Sequence, residues 1–597
     1  MSSSPLRTTL AGADSFASPV RIKPIGPGRY GRTPALRASD LCHHGRMSNG
    51  FLSSTMGDFD LSLRTILEHG STVFGDSRVI TFHGDSTTSA TFAEVGSRAH
   101  RLAHALRSLG IGHGDRVGTL MFNIQTHEEA YFAVPSMGAV LHTLNFRLHP
   151  EQLAWVINHA DDQVIICEAF LLPALLAIRS QLPRVHHLIL VGEPPAGIEV
   201  PDDVMDYDQL LSAQPGSSFP WPDVPERAAA AMCYTSGTTG DPKGVVYSHR
   251  SSFLHAMSFV GIASLTVKDR VLTIVPMFHV NAWGMPYAGF LAGCDLLMPG
   301  RFLQAEPLSR FMAQEPPTFS AGVPTVWNDL LRFAETHPID FSSLRNVVVG
   351  GSAVPASLIE NFRTRHGVQI TQAWGMTETS PIGAVAYPPR GVEGADELPF
   401  RVRTGRPVGG VTIRIVDDND KVLPHDGVAV GELEAIGPWV TSSYFNVDAP
   451  EKFHVENGRT WLRTGDVGSI DPYGYVQITD RAKDVIKSGG EWVSSVDLEN
   501  SLMGHPSVQE AAVIGVPDDR FDERPLACVV LRDGQAPDFA DMALFLEDKV
   551  AKWWIPERWT TIAEVPKTST LKFDKKVLRA RYNAGELDVT TIGKATR

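Results

Sequence analysis

The chain has 597 residues, 43% hydrophobic and 20% charged, with a formal net charge of −14. This is the composition of an ordinary soluble globular protein with room for several domains, and its acidity argues against a nucleic-acid coating role. No apolar run approaches the roughly 18 residues that span a bilayer, and five scattered Cys without a C-x-x-C point to reduced, buried thiols rather than a disulfide frame or metal site.

Residues 1–46 carry seven Arg or Lys against two Asp among many Ser, Pro and Gly. That composition predicts disorder. The segment lacks the apolar centre of a secretory signal and reads as a transit peptide or as an extension ahead of a start at Met47 or Met56. From residue 62 a helix–strand rhythm begins. In "TFAEVGSRAHRLAHALRSLG" the residues Val95, Ala99, Leu102, Leu106 and Leu109 form one helical stripe, closed by Gly110. "RVGTLMFN" reads as a buried strand, "EEAYFAVPSMGAV" and "EQLAWVINHA" as helices, and "QVIICEAF" as a strand. Such alternation predicts mostly parallel sheets covered by helices on both faces.

"YTSGTTGDPKGVVYSH" (Tyr234–His249) lies between the predicted strands "AAAMCYT" and "GVVYSH", with Ser248 placed to cap a following helix. Gly237, Gly240 and Gly244 let backbone N–H groups converge, Thr and Ser add hydroxyl donors, and Lys243 adds a mobile cation. This predicts a phosphate loop. It is not a Walker A loop, because Asp241 and Pro242 separate Gly240 from Lys243 and a strand follows. "WGMPYAGFLAGCDLLMPG", from Trp283, holds Asp295 and two Pro and reads as core.

Further along, "NVVVGGSAVPASLIENFRTR" predicts strand, glycine turn and helix, with "VQITQAWG" a strand after it. In "TQAWGMTETS" an aromatic, Trp374, precedes Thr377 and Glu378; an aromatic stacks on a base and a carboxylate holds Mg²⁺ against phosphates. From about Thr404 short strands and polar turns predict a small antiparallel or barrel-like subdomain. "WLRTGDVG" is read as placing Asp466 in a tight turn after a strand, where an acid binds ribose hydroxyls. "TDRAKDVIKSGGEW" clusters Arg481, Lys483, Asp484 and Lys487 beside a Gly pair, and "PKTSTLKFDKKVLR" sets Lys572 in a polar loop before a basic helix. Taken singly, each stretch also fits an ordinary turn or solvated face. Together they contain a phosphate loop, a base platform, a metal carboxylate, a ribose acid and mobile cations.

In that order the motifs "YTSGTTGDPKGV", "GGSA", "WGMTE", "RTGD", "DRAKDVIKSGGEW" and the terminal Lys resemble those of the acyl- and aryl-CoA synthetases, over residues 56–582. These belong to the adenylate-forming superfamily shared with firefly luciferase and the adenylation domains of nonribosomal peptide synthetases. "VPMFHVNAWGMPY", "SAGVPTVW" and "KSGGEWVSSVDLENSLMGHP" look most like bacterial medium- and long-chain fatty acyl-CoA ligases, whose near relatives take methylmercaptopropionate or other short acids. The resemblance implies an α/β fold with a large N-terminal domain of doubly wound sheets plus a small barrel-like subdomain (47–482), and a smaller mobile α+β C-terminal domain (483–597). It implies ATP, Mg²⁺ and CoA, a cytoplasmic homodimer, no nucleic acid, and at most peripheral membrane contact.

By residue, the resemblance assigns Thr235, Ser236, Gly237, Thr238, Thr239, Gly240 and Lys243 to the phosphates, and Thr235 and Glu378 to Mg²⁺. Gly351, Ser352, Ala353 and Trp374 would line the adenine, many relatives having Tyr at the stacking place, and Gln372 and Gly375 would also bind the cofactor. Thr377 would reach the α-phosphate, and Asp466 and Arg481 the ribose. Lys483 would be the hinge, and Lys487 and Trp492 would serve the second state. Lys572 would stabilise charge during adenylation, and His279, Val280, Trp283 and Gly322 would line the acyl pocket. One departure is Leu571, where relatives have Gly before the terminal Lys. An amino-acid adenylation domain would carry an Asp in "PMFHVNAWG", which has no acid. A luciferase-like oxygenase shares these motifs, and a non-enzymatic scaffold would not need Lys243, Glu378, Asp466 and Lys572 together.

Overall fold

Strand alternation sends neighbouring side chains into different cores, and this is what stacks the two large sheets. In the computed structural model, which describes residues 54–235, 241–481, 483–488, 491–568 and 572–592, two units separate at Phe59; all that follows concerns Asp60–Arg597. A nine-stranded sheet runs Arg406–Pro407, Ile382–Val385, Gln369–Gly375, Asn346–Gly350, Phe319–Gly322, Arg270–Thr273, Asp295–Met298, Arg78–Phe82, Thr87–Thr91. Its six central strands, Gln369–Gly375 through Arg78–Phe82, are parallel. A seven-stranded sheet runs Val204–Asp206, His187–Val191, Asp162–Glu168, Arg116–Leu120, Val140–Thr143, Ala229–Tyr234, Gly244–Ser248, and only its last pair is antiparallel.

Val79, Val271, Leu296 and Val348 of the first sheet share one core with Val117, Val164, Ile166 and Ile189 of the second. Their neighbours Ile80, Leu272, Leu297 and Val347 enter a second core, and Ile165, Leu188 and Leu190 a third. Each sheet is therefore buried on both faces, as the continuous apolar runs require.

The predicted local signals are met. Helix Phe92–Ser108 starts at a Thr91–Glu94 capping box and ends before Gly110, which takes φ +88°. Val95, Ala99, Leu102 and Leu106 are fully buried on one face. Ser248 caps helix His249–Ala263. Four cysteines, Cys167, Cys233, Cys294 and Cys528, are free and buried. Among the described residues no helix is long and apolar enough to cross a membrane.

A five-stranded antiparallel sheet follows, in which the 12-residue strand Arg459–Ile470 pairs with Gly431–Ile436, Phe453–Glu456 and Val476–Arg481. The last sheet has six strands, centred on Val508–Asp518, Asp522–Leu531 and Arg558–Thr561, with helices Ser495–Met503, Phe539–Leu546 and Lys575–Asn583. Asp466 corrects the sequence reading: it lies inside the strand Arg459–Ile470, not in a turn after it. The strand continues because Asp466 pairs with Arg481 across the ladder, so the local Gly-Asp signal is overridden by a long-range partner.

Candidate active site

Ligands of open parallel sheets bind beyond the C-terminal ends of the strands. Here Phe319–Gly322, Asn346–Gly350 and Gln369–Gly375 end side by side. The turn after Asn346–Gly350 needs glycine: Gly351 has φ +88°, and a Cβ on it would sit 3.3 Å from the Lys572 side chain. Gln372 holds this turn, its Oε1 accepting from Val354 N at 2.9 Å while its Nε2 donates to Arg403 O at 2.9 Å. Gly375 is equally constrained, since a Cβ would lie 1.9 Å from Pro381 O.

Beyond these ends lies a cavity of about 400 Å³ lined by Thr235, Lys243, His279, Val280, Trp283, Gly351, Trp374, Gly375, Thr377, Glu378, Arg481, Lys483 and Lys572. An adjoining cleft of about 1070 Å³ adds Ser352, Ala353, Gln372 and Asp466. Gly322 borders a hollow of about 20 Å³ that His279 also lines. Lys487 lines neither large space; it is exposed on strand Ile486–Ser488, in register with Trp492 of the facing strand. Ser236, Gly237, Thr238, Thr239, Gly240 and Leu571 lie outside the described residues.

The stem of the predicted phosphate loop is a short ladder. Thr235 N donates to Lys243 O at 2.9 Å, and Lys243 N to Thr235 Oγ1 at 3.1 Å. Tyr234 is anchored to His159 (OH to Nδ1, 2.7 Å). Lys243 Nζ stands 5.0 Å over the Tyr444 ring and 3.8 Å from a Glu451 oxygen. Tyr444 OH donates to Glu378 Oε1 at 2.7 Å. Tyr444 and His159 carry no motif, and nothing in the sequence reading found them.

Asp466 is engaged at both oxygens: Trp374 Nε1 donates to Oδ2 at 2.8 Å, and Arg481 Nε lies 3.5 Å from Oδ1. The Trp374 ring packs so closely on Gly383 that a Cβ there would be 2.3 Å from Cζ3. The indole orientation is thus fixed from both ends. Burial, then Arg481, push the Lys572 ammonium down to about 8, against the pull of Asp466 and Glu378. Burial, with Lys572 and Arg147 nearby, pushes His279 down to about 3, so it is neutral.

The segment expected to line the acyl pocket holds a feature the sequence did not announce. Val280, Asn281, Ala282, Trp283 and Gly284 are all left-handed, with φ of 47°, 50°, 49°, 56° and 75°. Each non-glycine residue there costs about 1–2 kcal/mol of strain. The turn is held by Cys233 Sγ donating to Asn281 Oδ1 at 3.2 Å, and its last residue must be glycine, since a Cβ on Gly284 would lie 2.7 Å from His255 Nδ1. Its effect is to aim Trp283 at the end of strand Asn346–Gly350, where its ring is 3.4 Å from the Cβ position of Gly350. Trp283 is 6% exposed.

Comparison with known proteins agrees with this geometry. Residues 67–445 match the profile of the AMP-binding enzymes, and residues 497–572 that of the AMP-binding enzyme C-terminal domain. A long-chain-fatty-acid–CoA ligase of Thermus thermophilus is 45% identical, covering 90% of this chain and 98% of its own. A 3-methylmercaptopropionyl-CoA ligase of Ruegeria lacuscaerulensis is 41% identical, over 87% and 97%. A medium-chain-fatty-acid–CoA ligase of Ectopseudomonas oleovorans is 40% identical, over 87% and 96%. Among solved structures, the anthranilate CoA ligase AuaEII in complex with anthranoyl-AMP superposes with a TM-score of 0.78 at 27% identity, over 88% of this chain and 98% of that one.

Proposed function

This chain belongs to the AMP-binding enzyme family, as an ATP-dependent acyl-CoA ligase, and we propose that its acid is a medium- to long-chain fatty acid. The observation that carries the reading is the convergence of Lys572, Glu378, Lys243 and Trp283 on one cavity. In the first step a carboxylate oxygen attacks the α-phosphorus of ATP, the bond to the bridging oxygen breaks, and pyrophosphate leaves. In the second the CoA thiol gives up its proton, sulfur attacks the acyl carbonyl, and AMP leaves with the electrons of the broken C–O bond.

The chain's residues divide the first step among themselves. Lys243 and the loop around it hold the β- and γ-phosphates. Lys572 faces the charge that develops between carboxylate and α-phosphate, aided by Thr377. Ser352, Ala353 and Trp374 receive the adenine, and Asp466 with Arg481 the ribose. The site suits Mg²⁺: the Glu378 carboxylate lines the cavity with Thr235, giving the hard oxygen donors this ion takes beside phosphate. Bound there with ATP, Mg²⁺ supplies neutralisation of phosphate charge. For the second step we take residues 483–597 as a mobile domain that turns about Lys483, removing Lys572 and bringing Lys487 and Trp492 to the adenylate. Location in the cytoplasm belongs to the same reading. Measuring AMP release across C3 to C18 acids with CoA tests the substrate class. An optimum at C3 with no turnover of C8 or longer acids would favour the alternative, a short acid such as the methylmercaptopropionate named in the Ruegeria relative.

Trp283 is the gate of the acyl pocket in this reading. Trp283→Ala is expected to move the chain-length profile towards longer acids while leaving the apparent KM for ATP within about twofold. A lower melting temperature with an unchanged profile would instead mark Trp283 as core packing. We also propose a homodimer; light scattering at micromolar concentration should give twice the 65.0 kDa chain mass, and a monomer mass would refute it.

A further inference from the structure

The strand Val476–Arg481 and the helix Ser495–Met503 lie on opposite sides of Lys483, and two serines join them. Ser494 Oγ donates to Thr479 O at 2.6 Å. Ser495 N donates to Asp480 Oδ2 at 2.9 Å, and Ser495 Oγ donates to the same oxygen. Asp480 is 2% exposed and both serines are fully buried. The chain of contacts then runs on. Lys575 Nζ donates to Ser495 Oγ and stands 2.9 Å from Glu499 Oε1, which also accepts from Val513 N at 2.7 Å.

These bonds close a ring around the site. Asp466 is laddered to Arg481, and Val467 to Asp480. Asp480 holds Ser495, Ser495 holds Lys575, and Lys575 begins the helix three residues after Lys572. Lys572 is thus tied to its own loop, Lys572 N donating to Thr568 Oγ1 at 3.2 Å, and through Lys575 and Ser495 to Asp480. The joint is polar where an apolar contact would have been easier to bury. Both of its faces can be rehydrated when separated, whereas an opened apolar face cannot.

We propose that Ser494 and Ser495 form a latch across the hinge that holds Lys572 in the adenylation position and parts for thioester formation. This rests on the rotation about Lys483 described above. Bonds between residues 479–480 and 494–495 span that pivot, so turning the C-terminal segment separates them, while Lys575–Glu499 stays within it and travels with it. Both serines are positioning residues: Ser495 acts through Lys575 and Lys572, and Ser494 ties the start of the same helix to Thr479.

The test is Ser495→Ala, with each half-reaction followed separately on the full chain. Pyrophosphate release from ATP and a fatty acid should fall roughly 10- to 100-fold, the effect of losing one buried hydrogen bond to a charged group. Conversion of supplied acyl-AMP and CoA to thioester should hold within about twofold, which also reports an intact fold. Asp480→Asn, which keeps the shape, should show the same split more weakly and stands in if Ser495→Ala does not fold. Equal loss in both half-reactions, or loss in neither, would overturn the latch. Lys572→Ala is run beside them. If it splits the half-reactions and Ser495→Ala does not, the latch alone is wrong; if Lys572→Ala does not split them, the rotation falls and the latch with it.

Discussion

Replacing Lys572 by alanine is expected to slow ATP-dependent pyrophosphate release by about 10²–10³, the usual consequence of deleting one preorganised donor at a developing charge. The same variant should convert supplied acyl-AMP and CoA to thioester at nearly the normal rate. The reason lies in its setting. Lys572 stands over the Gly351 turn in the cavity that holds Glu378, with Asp466 and Arg481 close enough to move its ionisation. In the proposed rotation it is carried by the segment beyond Lys483 and leaves the site when that segment turns. Its depressed value of about 8 gives a second signature. As pH rises through 8 the proton leaves Lys572 and the cation is lost, so kcat/KM for adenylation should fall on the alkaline side. Lys572→Ala should abolish that limb. If Lys572→Ala slows both half-reactions alike, the two-state account is wrong. If it slows neither, Leu571 has displaced the lysine's role, and another cation carries the charge.

Much of this site was legible because its chemistry is local in the chain. The Gly351 turn, the Gly375–Glu378 stretch and the strand pair around Lys243 each announce themselves within about ten residues, and strand periodicity set the doubly wound layers. What was not legible depends on partners far away in sequence. Asp466 reads as a turn residue until Arg481 and Trp374 are placed against it. Tyr444 gives no signal of its own, yet its hydroxyl fixes the Glu378 carboxylate from 66 residues away. The left-handed run at Val280–Trp283 contradicts local preference, since Val and Trp avoid positive φ. It persists with Cys233, from another segment, bonded to the Asn281 side chain. Asp480 lies in a stretch that also fits a solvated face, and only its burial with Ser494 and Ser495 gives it meaning.

The Tyr444 contact also bears on how Glu378 acts. Its carboxylate accepts from Tyr444 OH through Oε1 at 2.7 Å and is 7% exposed, so a change here could act through packing or through charge. Glu378→Gln separates the two. The amide oxygen still accepts from Tyr444 and the side-chain volume is kept, so the fold should not respond; the negative charge that would hold Mg²⁺ against the phosphates is gone. Pyrophosphate release should fall by about 10²–10³, as for other losses of charge stabilisation in a closed site. Because a carboxylate is among the one or two protein ligands Mg²⁺ usually takes, the apparent Mg²⁺ requirement should rise, and excess Mg²⁺ should recover part of the rate. Tyr444→Phe provides the contrast. It leaves the charge in place and frees one carboxylate oxygen, so it should cost no more than about tenfold, the scale of one hydrogen bond to a charged group. An unchanged Mg²⁺ dependence in Glu378→Gln together with a large rate loss in Tyr444→Phe would assign Glu378 to scaffolding and move the metal elsewhere in the cavity.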